Sequence, residues 1–167
     1  MIYIFTGNGG GKTIAALGLA LRARGQNRKV VIIQFMKGKK DTGEFKIARK
    51  IGYQIYQYGR AEFLDINNPG PIDHKLAIEG FKKAKEVIKN KPHLLILDEI
   101  NLACAIGLLA EKDILLFLKK IPKECDVVLT GRFAPNSFIK IADGASEIVK
   151  IKHVFDKGIK AKRGIEY

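Results

Sequence analysis

Cysteine is scarce in this 167-residue chain. The two present, Cys104 and Cys125, show no CxxC spacing and no accompanying histidine cluster. That excludes a zinc site and a disulfide framework and leaves buried free thiols as the better reading. Long apolar runs are also missing, none reaching the roughly 18 residues of a membrane-spanning helix. The first residues, Met1 to Phe5, have no basic flank and no small-residue cleavage site, and they turn at once into glycines. They read as a strand, not a signal peptide, and a cytoplasmic protein is the expectation. Internal repeats and low-complexity segments are absent too.

What is present is ordinary globular composition, 47% hydrophobic and 28% charged. A chain of this length removes roughly 70% of its unfolded surface from water, so one domain over residues 1–167 is expected. The formal net charge is +13. A positive field of that size attracts nucleic acid, anionic lipid and polyanionic small ligands alike and does not choose among them. Most of the cations lie along helices, as in Lys82-Lys83-Ala84-Lys85 and Lys119-Lys120, where a solvated face accounts for them. Only the stretch from Lys150 to Arg163 concentrates them, with six Lys or Arg.

Apolar β-branched runs alternate with helical patterns. Residues Ile2 to Thr6, Lys29 to Phe35, Tyr53 to Tyr58, Leu94 to Leu97 and Asp126 to Thr130 read as strands, most of them apolar enough to be covered on both faces. Helices are predicted from Lys12 to Arg24, Thr42 to Ile51, Asp73 to Asn90 (with Asp73 as cap), Asn101 to Leu109 and Glu111 to Lys120. The first of these is apolar nearly all round and is expected to be buried. Residues 59–72, with Asn67-Asn68-Pro69-Gly70-Pro71, are too polar and turn-rich for a strand. The alternation implies an α/β fold, a mostly parallel sheet with helices on both faces joined by right-handed crossovers.

The chemistry gathers at Thr6-Gly7-Asn8-Gly9-Gly10-Gly11-Lys12-Thr13. This fits the phosphate-binding loop G-x-x-x-x-G-K-[ST], except that Thr6 replaces the first glycine, and it lies between a strand and a helix as the motif requires. Glycines let backbone N–H groups turn inward into an anion nest at a helix N-terminus. Lys12 adds a full charge, and the Thr13 hydroxyl is placed for Mg²⁺. The strand ending in Asp98-Glu99 delivers two carboxylates where ligands of parallel sheets gather, and one of them should reach the metal. Thr130-Gly131-Arg132 puts an arginine at another strand end, either to stabilise leaving-group charge or to form a surface ion pair. Kinases, ATPases and transferases share these parts, so the residues leave the reaction open.

A longer pattern narrows it. The loop, Ala15-Ala16-Leu17-Gly18-Leu19-Ala20, Gln34-Phe35-Met36-Lys37-Gly38, Gly43-Glu44, Leu97-Asp98-Glu99-Ile100-Asn101, Leu129-Thr130-Gly131-Arg132, Ala142-Asp143, Lys152-His153 and Asp156-Lys157-Gly158-Ile159-Lys160-Ala161 to Gly164-Ile165-Glu166-Tyr167 closely resemble the P-loop type of ATP:corrinoid adenosyltransferase. The resemblance implies a single-domain RecA-like fold, a homodimer, Mg²⁺ as cofactor, ATP and a reduced corrinoid as substrates, and a reductase or flavodoxin-like electron donor as partner. ATP would bind in reversed sense, with its triphosphate as leaving group and C5′ open to attack by cobalt. The implied phosphate contacts are Asn8, Gly9, Gly10, Gly11, Lys12 and Thr13, with Lys37 and Arg132 as further contacts. Thr13 and Glu99 would hold Mg²⁺, and Lys12, Thr13 and Glu99 would carry catalysis. The sequence departs from the family pattern at Gly10, where a lysine is common, at Ile14, where a second hydroxyl is, and in beginning directly at the first strand. Residues 59–72 align poorly with the family's corrinoid-facing aromatic segment, leaving Phe63 as the candidate there. His153 is better read as structural than as a ligand. The competing readings are a P-loop ATPase or kinase, with Glu99 polarising a water, and last a RecA-like nucleic-acid-binding ATPase, for which no reading element is present.

Overall fold

The computed structural model of the chain describes residues 1–62, 64–152, 158 and 161–165. Six strands, β1 (Ile2–Thr6), β2 (Val30–Phe35), β3 (Gln54–Tyr58), β4 (Leu94–Asp98), β5 (Asp126–Thr130) and β6 (Gly144–Glu147), form one sheet in the order β3-β2-β4-β5-β1-β6. Every pairing is parallel. All C-terminal strand ends therefore lie on one edge, where β5 separates β1 from β4.

Side chains alternate across the sheet and build two cores. Val31, Ile33, Phe35, Leu95, Leu97, Val127 and Leu129 face α3 (Pro71–Val87), α4 (Ile100–Ala105), α5 (Glu111–Leu118) and α6 (Asn136–Ile141). Val30, Ile32, Leu94, Ile96 and Val128 face α1 (Lys12–Gly25) and α2 (Gly43–Ile51). The expected α/β class, parallel sheet and helices on both faces are borne out. Among the described residues no helix is long and apolar enough to cross a membrane.

Several local expectations are corrected. α1 is not buried all round: Ala16 and Ala20 pack on the sheet, while Ile14 and Leu21 are 63% and 59% exposed. Small residues let this helix lie close to the strands, so its larger aliphatics point outward. Asp73 does not cap α3 from outside but sits inside its first turn, where Oδ2 accepts the Gly70 N–H at 2.9 Å and Oδ1 pairs with Arg60 at 2.8 Å. That pair ties the irregular stretch after β3 to α3. α4 ends at Ala105, short of Leu109, and the 310 turn Ile88–Asn90 closes α3. α6 and β6 were not foreseen, because Gly144-Ala145-Ser146-Glu147 has no apolar alternation and joins the sheet as an edge strand through its backbone. Both cysteines are free and buried, as expected, and burial pushes each thiol up to about 11.

α3 lies so close to the sheet that a methyl group added at Gly80 would come to 3.0 Å from Phe35 Cε1 and from Tyr58 Cβ. Glycine to alanine in an exposed helix normally stabilises by about 1 kcal/mol. Here overpacking dominates, and Gly80→Ala should lower the unfolding free energy by about 1–3 kcal/mol, read from urea denaturation.

Candidate active site

The loop after β1 reaches α1 through Gly11, which has a left-handed φ of 105°. Lys12, 8% exposed, folds back and donates to the carbonyls of Gly7 at 2.9 Å and Gly9 at 2.7 Å. From the other side the chain after β6 runs against the loop. Gly9 N–H donates to Ile148 O at 2.7 Å, and Asn8 Oδ1 accepts the Lys150 N–H at 3.0 Å.

The register of β2 on β4 sets Gln34 beside Asp98. Asp98 is 1% exposed and accepts from four side chains. Thr13 Oγ1 donates to Oδ1 at 2.9 Å and Thr130 Oγ1 at 2.7 Å. Gln34 Nε2 donates to Oδ2 at 3.0 Å, and Lys37 Nζ at 2.7 Å. Lys37 also donates to Thr13 Oγ1 at 3.1 Å. Its turn is held against the end of β3, where a Cβ at Gly59 would meet Lys37 N at 2.2 Å. Only glycine permits that approach. Three residues past strand ends on this edge, Met36, Glu99 and Phe133, have left-handed φ of 57°, 65° and 58°. Such backbone costs on the order of 1–3 kcal/mol each and concentrates where a site is built.

Residues 1–167 match the family described as ATP:corrinoid adenosyltransferase BtuR/CobO/CobP. The chain belongs to the ATP:corrinoid adenosyltransferase family. A protein of Escherichia coli (strain K12) named corrinoid adenosyltransferase is 33% identical over 168 residues, covering 100% of this chain and 85% of that protein. One from Sinorhizobium sp of the same name is 35% identical over 172 residues, with 100% and 80% covered. Corrinoid adenosyltransferase CobA of Salmonella typhimurium (strain LT2) is 32% identical over 168 residues, with 100% and 85% covered. The reaction of the family is adenosyl transfer from ATP to a corrinoid.

In this adenosyltransferase the predicted residues Lys12, Thr13, Lys37, Glu99 and Arg132 are brought within electrostatic reach of one another. The Asn8 side chain and the Gly9 amide are engaged by the segment after β6. Gly10 is exposed at the tip and Gly11 turns the chain into α1. Arg132 lines a cavity of about 460 Å³ with Thr6, Gly7, Asn8 and the apolar side chains of Phe133 and Ile139. Phe63 and His153 lie outside the described residues, as do residues 156, 157, 159, 160, 166 and 167. Sequence reasoning named Gln34 and Thr130 only within longer motifs, with no role of their own, and understated Asp98. A glutamine inside an otherwise apolar strand was the available signal for the first.

The two adjacent carboxylates are set apart by their surroundings. Burial pushes Asp98 up, but the Lys37 charge and the hydrogen bonds from Lys37, Thr130 and Thr13 outweigh it and hold the carboxyl below its ordinary value. Glu99 is pushed up, by burial first and then by the Asp98 charge. Its Oε2 is buried without a hydrogen-bond partner among the described residues. Burial lowers Lys12, with Glu99 and Asp98 pulling the other way and Arg132 and Lys37 adding to the fall. Lys37 is raised overall, the attraction of Asp98, Glu99 and Glu44 overcoming its burial. Mg²⁺ favours hard oxygen donors. The Thr13 hydroxyl, the Asp98 carboxylate and the unsatisfied Glu99 oxygen supply that donor set, so the residues fit a divalent cation.

These opposite shifts have opposite signs in stability. Asp98, depressed, contributes stability above the unfolded carboxylate pKa that is lost as pH falls through its folded value. Glu99, raised, is destabilising once ionised, and the cost grows as pH rises through its folded value. Asp98→Asn should therefore lose about 3 kcal/mol at neutral pH by leaving Lys37 unpaired. Glu99→Gln should raise the melting temperature at pH 7 and lose that advantage on acidification. Thermal melts of the three chains between pH 4 and pH 8 check both; a Glu99→Gln melting point below wild type throughout contradicts the assignment.

Proposed function

We propose that adenosyl transfer proceeds by direct attack of the cobalt of a reduced corrinoid on the ribose C5′ of ATP, with the whole triphosphate as leaving group. The cobalt(I) electron pair forms the Co–C bond, the C5′–O bond breaks, and its pair leaves on the triphosphate. Such a nucleophile needs no general base, so the protein's part is to align the two centres, neutralise the leaving charge and exclude water. The observation that carries this reading is the cradle itself: a buried lysine, a helix N-terminus and Thr13 converge at the strand-to-helix turn of a chain matched end to end by the family.

In this reading the loop Asn8 to Thr13 surrounds the triphosphate, Lys12 places its ammonium on it in exchange for the Gly7 and Gly9 carbonyls, and Lys37 and Arg132 add charge from the sides. Thr13 and Glu99 hold Mg²⁺, with Asp98 beside them; the ion supplies charge neutralisation of the departing phosphates. The cavity below Arg132, polar on the loop side and apolar at Phe133 and Ile139, adjoins this cradle and suits the reacting organic groups. A homodimer, a reductase or flavodoxin-like donor and a cytoplasmic location belong to the same reading. Nucleic acid ranks last as a partner.

A second reading has one specific observation in its favour. Glu99, with a raised pKa and an unsatisfied buried oxygen, is suited to polarise a water for attack on the γ-phosphate, as in an ATPase. The broken bond separates the two. With ATP, Mg²⁺ and cob(I)alamin or cobinamide under anaerobic conditions, phosphorus NMR should show intact triphosphate, and the visible spectrum a light-sensitive adenosylated corrinoid. ADP and phosphate at a catalytic rate without corrinoid would promote the ATPase.

Two substitutions probe the roles. Lys12→Ala should leave circular dichroism unchanged and reduce turnover by about 100-fold or more, the scale of losing one preorganised charge contact. Glu99→Gln should shift the Mg²⁺ dependence to higher metal, with partial recovery in excess. Absence of any recovery assigns Glu99 to the chemistry instead.

A further inference from the structure

Lys37 stands between two oxygens. Its Nζ is 2.7 Å from Asp98 Oδ2 and 3.1 Å from Thr13 Oγ1, and Thr13 Oγ1 itself donates to Asp98 Oδ1 at 2.9 Å. A P-loop hydroxyl and a carboxylate at an apolar strand end are the donors between which a divalent cation beside a triphosphate is held. The lysine ammonium lies against both of these donors and brings its charge to a carboxylate that is 1% exposed. Two cations cannot both approach the same pair of oxygens this closely without strong mutual repulsion.

We propose that Lys37 is the resident counter-cation of the Asp98–Thr13 pair, so that a divalent metal is held there only when the ammonium swings away. The local structure suits such a swing. The backbone at Lys37 is fixed, with Met36 N–H donating to Tyr58 O at 2.9 Å and Gly59 pressed against the turn. The side chain, by contrast, is 30% exposed on a flexible four-carbon stem. Leaving Asp98 strips the ammonium of a strong partner, and a triphosphate in the neighbouring loop offers it another. Metal alone would have to displace the lysine with only the Glu99 and Glu44 carboxylates, whose attraction it already feels, left to receive it. Metal and nucleotide therefore load together, and Lys37 makes the first conditional on the second. Lys37 is thus a positioning residue for the metal. The inference rests on the reading that a divalent cation accompanies ATP in this loop.

Mn²⁺ titrations of the full chain, followed by the electron paramagnetic resonance signal of free Mn²⁺ against a protein-free Mn²⁺–ATP control, test it. Wild type should bind Mn²⁺ weakly alone and at least about tenfold more tightly with ATP present. Lys37→Met should bind Mn²⁺ alone about tenfold more tightly than wild type and respond less to ATP. Its melting temperature should rise with Mn²⁺ by more than that of wild type. A role confined to supporting the fold predicts no gain in metal affinity. Equal nucleotide-free affinities in the two chains, or binding by wild type that ATP does not tighten, overturns the inference. No protein-bound Mn²⁺ in wild type even with ATP sinks the underlying nucleotide–metal reading instead. Should Lys37→Met fail to fold without metal, restoration by Mn²⁺ supports the proposal, and failure to restore counts against it.

Discussion

The site depends on a single buried carboxylate that has to be compensated. An ionised group taken out of water costs several kcal/mol unless hydrogen bonds and an opposite charge replace its hydration. Asp98 meets that demand with donors from four places: Thr13 at the start of α1, Gln34 on β2, Lys37 on the turn after β2 and Thr130 on β5. Each of these can leave only if another donor or cation replaces it on the carboxylate. The phosphate loop, the lysine turn and the strand leading to Arg132 are thereby held in one arrangement, and the identities of Gln34 and Thr130, both buried polar residues, become intelligible as donors to Asp98.

Parallel pairing explains why the requirement arises on this edge. Each strand ends on the same side of the sheet, so the backbone must turn sharply there several times in a small space. Met36, Glu99 and Phe133 take left-handed conformations as a result. For Glu99 the turn points a carboxylate next to that of Asp98, and proximity plus burial raises its pKa while its neighbour's falls. One carboxylate is satisfied and rigid, the other is unsatisfied and available.

The segment after β6 adds a constraint that links distant parts of the sequence. By engaging Gly9 and Asn8 it makes the shape of the phosphate loop depend on residues some 140 positions later. The contact fixes one amide and one side chain of the loop from outside it, through residues just past the edge strand. The small residues Gly7 and Gly9 are what allow the approach, since a Cβ at either would fall within 3 Å of the Ile148 backbone.

Much of the fold could be read from the residues in order. Short β-branched runs too brief for helices, such as Val30–Phe35 and Leu94–Asp98, signal strands covered on both faces, and their alternation with helical spacing leaves little choice but a parallel α/β sheet. The loop at Thr6 to Thr13 was legible for the same reason: its chemistry comes from contiguous residues. β6 and α6 were not legible, because an edge strand held by backbone hydrogen bonds needs no apolar pattern. The outward-facing Ile14 and Leu21 were misread because periodicity says which residues are apolar and not which face a neighbouring sheet will cover.

What the sequence determined alone, then, is the strand-helix order, the phosphate loop and the family, all of which depend on residues near one another in the chain or on their pattern along it. Only the tertiary structure decided that Asp98 is the hub, that the Lys37 ammonium bridges Asp98 and Thr13, and that the Asn8 side chain and Gly9 amide meet the segment after β6. Those assignments depend on distances of about 3 Å between residues tens of positions apart, and hydrogen bonds fall off too steeply with distance and angle for spacing in sequence to fix them.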